Sequence, residues 1–160
     1  MSMARSLSAR SAAMALFLSL LLFAVVAFAD VEFTTDRMRL VTADNKILEL
    51  TVELAIDADQ REQGLMFRRS MAPDHGMLFD FGETRRVMMW MKNTHLALDM
   101  LFVDKRGIVR TIHQDAVPFS EAIIDSGEPV AFVLELNAGT VKRLGIKPGD
   151  RLEGARIGGN

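Results

Sequence analysis

Ile47 to Ile56 reads ILELTVELAI, with Leu48, Leu50, Val52, Leu54 and Ile56 alternating against Ile47, Glu49, Thr51, Glu53 and Ala55. Strict period two over ten residues predicts a half-buried antiparallel strand. The turn pair Asp44-Asn45 precedes it, so Met38 to Thr42 is expected to form the first arm of a hairpin. From Asp57 to Arg69 the pattern predicts a helix. Asp57 can cap it, Gln60 or Glu62 can complete a capping box, and acidic residues crowd its first turn. Arg68 and Arg69 fall near its C-terminal end, where cations complement the helix dipole. Gly64 inside that helix costs ~1 kcal/mol against alanine, which points to close packing on the sheet. After the loop Pro73-Asp74-His75-Gly76, Met77 to Phe81 reads as a short strand.

Two apolar runs follow, Val87 to Lys92 and Leu96 to Val103, around the polar insert Lys92-Asn93-Thr94-His95. Asp104-Lys105-Arg106-Gly107 has the residue preferences of a type I turn closed by a left-handed glycine. Ile108 to Ala116 should therefore pair back on Leu96 to Val103. If Gly107 closes the turn as a one-residue bulge, Val103 faces Val109, Leu101 faces Thr111 and Asp99 faces His113. The register shifted by one would set Asp99 and His113 against apolar partners. Val130 to Leu136 is a further strand, with Phe132, Leu134 and Leu136 on one face. Thr140 to Leu144 is a short helix ended by Gly145. The tight turn Lys147-Pro148-Gly149-Asp150 leads into a last strand, Arg151 to Glu153. These elements make an α+β fold, mostly antiparallel, with two short helices.

The N-terminus changes the picture of where this fold resides. Arg5 and Arg10 precede nineteen uncharged residues, Ser11 to Ala29, that end in Ala27-Phe28-Ala29. A basic start, an apolar stretch and an A-x-A end predict a signal peptide, residues 1–29, cleaved before a single exported domain, residues 30–160. Left uncleaved, the same segment is nearly long enough to anchor the chain in a bacterial inner membrane. Without Arg5 and Arg10 there remain 17 Lys and Arg against 21 Asp and Glu, a net charge of −4. That balance lacks the basic stripe of a nucleic-acid-binding protein. The absence of cysteine excludes disulfides, thiol chemistry and zinc–thiolate sites. A periplasmic location is the expectation.

Several segments in order, VELAIDADQREQGLMFR, GMLFDF, WMKNTHLALDMLFVDKRG, VLELNAG and GIKPGD, carry a family pattern. With its WMKNT-x(3)-LD and E-x-GLM blocks, the chain resembles the domain of unknown function family 192 over nearly all of the mature sequence. The resemblance implies a compact, curved, barrel-like sheet, often exported, of no established activity. It carries over no catalytic residue. Two departures are Ala97, where the family usually has proline, and Met89, where an aromatic residue is common.

Candidate chemistry centres on the insert. Lys92, Asn93, Thr94 and Asp99 could hold a small anion or polar ligand, with Lys92 supplying charge. The plainer alternative has Asn93 and Thr94 capping a strand end while Lys92 pairs with Asp99 or another carboxylate. An Asp99–His113 pair would be half of a hydrolase triad, but Ser70, Ser120 and Ser126 lack a nucleophile-elbow pattern. Glu62 and Glu135 could act as acid and base; a salt bridge to Arg68, Lys92 or Arg110 is the simpler expectation. Met88, Met89, Met91 and Met100, with His75-Gly76-Met77 and His95, raise copper handling. Strand alternation splits those methionines between two faces, and methionine is an ordinary core filler. No cofactor or metal is expected. The expected function is a module that binds a small molecule or a protein at a polar rim of Lys92, Asn93, Thr94, Asp99, His113 and Glu62. A hydrolase or transferase using Asp99 and His113 is the alternative.

Overall fold

The computed structural model describes residues 31–158, so the expected signal peptide lies outside the described residues. Seven strands and two helices follow in order. They are β1 (Thr34–Val41), β2 (Ile47–Ala55), α1 (Ala58–Gln63), β3 (His75–Met89), β4 (Leu98–Val103), β5 (Val109–Ala116), β6 (Ile124–Asn137), α2 (Thr140–Leu144) and β7 (Arg151–Glu153). All strands join one sheet in the order β5-β4-β6-β3-β2-β1-β7. β2 and β3 run parallel, and every other neighbouring pair is antiparallel.

The sheet curls until its two ends touch. Leu152 N–H donates to the Gly107 carbonyl at 2.7 Å and Val109 N–H to that of Asp150 at 2.9 Å, which ties the start of β5 to β7. The result is a half-barrel. Its interior packs Leu40, Val52, Leu78, Leu101, Val109, Leu134 and Leu152. A second apolar cluster lies on the other face of the central strands: Met77, Phe79, Met100, Phe102 and Val133, covered by Leu65, Val87 and Met91. β4 and the stretch Val130–Leu136 of β6 are thus buried on both faces, and every residue in them is buried. This explains why LDMLFV and VAFVLEL show no alternation in sequence.

The hairpin of β1 and β2, α2 with its Gly145 end and β7 form as expected. Three expectations are corrected. The first helix is only six residues long. Asp57 and Gln60 do form the capping box, but Gly64 adopts φ 48° and ends the helix. A Cβ there would also meet Phe79 Cζ at 3.0 Å, so close packing on the sheet holds too. Arg68, freed from a helix terminus, forms a two-pronged ion pair with Glu53. Secondly, Met77–Phe81 and the run from Val87 belong to one strand, β3, continuous through two irregularities near Asp80–Arg85 and Arg86–Met88.

The third correction concerns the β4–β5 register. The turn closes as expected, with Gly107 at φ 83° and its N–H on the Asp104 carbonyl at 2.9 Å. Val103 faces Val109 as expected, but Phe102 then faces Thr111, which leaves Arg110 unpaired as a bulge. One extra residue moves everything beyond it to the other face. Met100, not Asp99, faces His113, and Leu101 faces Ile112 rather than Thr111. Asp99 and His113 project from opposite faces, so the expected pair does not form.

Closure of the half-barrel depends on Gly107, where a Cβ would sit 2.2 Å from the Leu152 carbonyl oxygen. Gly107→Ala is expected to cost well over about 2 kcal/mol, adding a backbone clash to left-handed strain. Gly82→Ala, at φ 70° in open space, should cost only about 1 kcal/mol. Urea unfolding of both variants checks the difference.

Candidate functional site

The insert Lys92-Asn93-Thr94-His95 is a turn. Thr94 N–H donates to the Met91 carbonyl at 3.1 Å, and Asn93 sits at φ 55°. Its outward carbonyls bind two flanking segments: Phe67 N–H donates to Asn93 O at 2.9 Å and Phe119 N–H to Thr94 O at 3.2 Å. Both phenylalanines are themselves left-handed, at φ 65° and 61°. For bulky residues this conformation is rare, and it costs roughly 1–2 kcal/mol each. Three strained residues therefore meet at this one turn. The strain leaves the Phe67 side chain 67% exposed and sets Phe119 edge-on against His95, with ring centroids 4.8 Å apart.

Between this turn, α1 and the end of β3 lies a cleft of about 230 Å³. Arg61 and Glu62 come from α1, Met66 from the segment after it, Arg85 and Met89 from β3, and Trp90, Lys92 and Thr94 from the turn. An adjoining recess of about 410 Å³ shares Glu62, Met66, Trp90 and Lys92 with it and adds Phe67 and Asn93. Arg61 and Arg85 each hold a guanidinium over Phe81, and Lys92 Nζ lies 5.1 Å above Trp90. Lys92 has no carboxylate partner among the ion pairs of the described residues.

The floor of the cleft holds the side chain that sequence reasoning undervalued. Residues directly opposite in successive strands form a row across one face of the sheet: Glu53, Met77, Glu135, Met100 and His113. Glu135 is only 4% exposed, has Met77 and Met100 as direct neighbours in this row, and lines the cleft. Neither of the salt bridges expected for Glu62 and Glu135 forms: Arg68 takes Glu53 and Arg110 takes Glu128. Among the described residues nothing donates to the Glu135 carboxyl, and burial alone pushes its pKa up to about 8. A pKa raised to about 8 leaves it mostly protonated at neutral pH, able to offer an O–H donor. A lone acid in the uninterrupted apolar run VAFVLEL was the available signal, since such a run implies a strand covered on both faces.

Of the six residues expected at a polar rim, the structure brings Glu62, Lys92, Asn93 and Thr94 to the cleft or its adjoining recess. It does not bring the other two. His113 is exposed on β5, beyond Met100. Asp99 is fully buried on the interior face, where it fastens the fold. One carboxylate oxygen accepts from Asp115 N–H at 3.0 Å, beside a second irregularity in the β4–β5 pairing, and the other from Val141 N–H at 2.8 Å. It thereby serves as the side-chain cap that α2, preceded by Gly139, does not have of its own. The copper alternative finds its side chains only partly together. Met88 and Met89 line the cleft, but Met77, Met91 and Met100 are core residues, His75 Nδ1 lies 2.8 Å from Asp74, and His95 packs on Phe119. Among the described residues no histidine lines the cleft, and no helix is long and apolar enough to cross a membrane.

A mixed, mostly antiparallel half-barrel with two short helices is also what solved structures of similar chains show. A protein from Sinorhizobium meliloti 1021, assigned provisionally to transcription regulation, is 71% identical, with a TM-score of 0.79 over 80% of this chain and 99% of its own. A protein of unknown function from Novosphingobium aromaticivorans DSM 12444 is 32% identical, with a TM-score of 0.72 over 81% and 91% of the two chains. No curated protein matches. The model of DUF192, described as an uncharacterized ACR family, matches residues 39–154, and the chain belongs to this family.

Two outcomes follow from Glu135 and Asp99, two of the buried acids. Glu135 has its folded pKa raised above the ordinary 4.5, so the folded state holds a proton that the unfolded state releases between pH 4.5 and about 8. Stability should fall across that window and level off above it, by on the order of a few kcal/mol. Glu135→Gln should remove this slope, so its stability relative to the parent rises from pH 4.5 to 9 in urea titrations. Asp99→Ala strands two N–H groups and should cost about 2–4 kcal/mol by the same measurement.

Proposed function

We propose that the chain is an exported, periplasmic module that binds a small molecule in the cleft of Glu62, Lys92, Thr94 and Glu135, with Asn93 in the adjoining recess. The observation that carries this reading is Glu135, a buried carboxyl with no partner among the described residues that opens into a concave site walled by Trp90 and Met66. The lining divides about evenly between polar and apolar surface, and convergent polar groups beside apolar walls suit a ligand site. The strained turn at Asn93 supports the same location, because such strain concentrates at functional positions.

Transcription regulation by direct contact with DNA, suggested by the S. meliloti relative, has weaker support. The two helices are six and five residues long, too short to read a groove, and residues 30–160 carry a net charge of −4.

A thermal-shift screen of the purified protein against metabolites, anions and metals, Cu(I) included, tests the proposal. A true ligand at 100 times its Kd should stabilise the fold by ~2.7 kcal/mol. Trp90→Ala and Lys92→Ala should reduce that stabilisation, whereas Asp99→Asn, altered on the opposite face, should not. A screen without a stabilising compound, or hits indifferent to both cleft variants, would overturn the reading.

A further inference from the structure

The occupant of the cleft can be narrowed by charge and by hydrogen-bonding role. Three cations reach its walls, Arg61, Arg85 and Lys92, against one exposed carboxylate, Glu62. Among the described residues Lys92 is the one of these that is neither ion-paired nor bonded to backbone: Arg61 donates to the carbonyls of Ile56 and Asp80, and Arg85 faces Glu83 at 3.6 Å. With Glu135 protonated the formal charge of the lining is therefore +2. A cationic ligand would meet repulsion at the walls and a floor with no negative charge to receive it. An anion meets attraction at Lys92 and, at the floor, a donor instead of a competing charge. The apolar part of the lining, with Met66, Phe79, Met88, Met89 and Trp90, suits an apolar body.

We infer that the cleft takes a small organic carboxylate with an apolar body, its anionic group drawn by Lys92 and an acceptor oxygen reaching the Glu135 O–H. This rests on the reading of the cleft as a ligand site and names the class of ligand. The charged and titratable groups facing Glu135 are few. Glu53, held by Arg68, and His113 lie on its row, and Arg61, Glu62, Arg85 and Lys92 line the cleft.

Calorimetric titration of the purified protein with phenylacetate, phenylacetamide and phenethylamine distinguishes the charge classes with one apolar body. Phenylacetate is expected to bind, with phenylacetamide weaker and phenethylamine undetected. Only the protonated site accepts the anion, so a Glu135 pKa of about 8 implies roughly tenfold weaker phenylacetate binding at pH 9 than at pH 7. The same fall should persist in His113→Ala, which shows that it does not originate at that neighbour. Glu135→Gln should bind with little pH dependence, and Lys92→Gln should weaken phenylacetate about tenfold while sparing phenylacetamide. Phenethylamine binding more tightly than phenylacetate, phenylacetate affinity rising with pH, or no binding of phenylacetate at 10 mM would overturn the inference. If the wider screen then still gives ligands that depend on Trp90 and Lys92, the class is wrong and the cleft reading stands. Without such ligands both fall.

Discussion

The covering of β6 on both faces is the constraint from which the cleft follows. A strand with one wet face could carry Glu135 as an ordinary surface acid. Here Phe132, Leu134 and Leu136 fill the half-barrel while Val133 and Glu135 lie beneath a second layer of packing. Neighbouring strands place Met77 and Met100 directly beside Glu135. Thioether side chains offer no useful hydrogen bond to a carboxyl, so among the described residues the group is unsatisfied by protein and meets only the cleft. Closure of the sheet edges at Gly107 and Leu152 keeps the interior layer in place, and α1 with the turn at Asn93 bounds the outer one.

How far the sequence discloses this depends on whether the signal is local. The alternation of ILELTVELAI, the Asp57–Gln60 box and the Gly107 turn are set by neighbouring residues, and all three are legible. The bulge at Arg110 is not: nothing in Gly107 to Ile112 marks it, yet it decides which face His113 occupies. Faces separated by a single residue cannot be assigned from a turn type alone. Glu135 lies between these cases. Its apolar neighbours on both sides were visible, but the absence of a cationic partner depended on Arg68 and Arg110 finding Glu53 and Glu128 elsewhere.

Asp99 and Glu135 show why burial of an acid does not by itself define a site. Both lie in central strands, one residue apart in register across β4 and β6, on opposite faces. Asp99 accepts a backbone N–H with each oxygen and is fully buried away from the cleft, out of reach of a ligand there. Its work is conformational, fixing the β5 irregularity at Asp115 and the start of α2. Among the described residues nothing donates to the carboxyl of Glu135. The difference lies in partners rather than in depth.

The location of the unmet group also bears on binding energetics. The free energy of removing Glu135 from water is incurred on folding, through the pH-dependent stability of the chain, and not when a ligand arrives. The same holds for the left-handed Phe67, Asn93 and Phe119, whose strain is balanced by the packing and hydrogen bonds that fix the rim. A molecule entering the cleft meets a largely buried donor and a rim already positioned, so less of its interaction energy goes into ordering the site. Surface lysines and acids elsewhere on the molecule lack this preparation. That distinguishes the Glu135 cleft from the rest of the charged surface more firmly than its volume does.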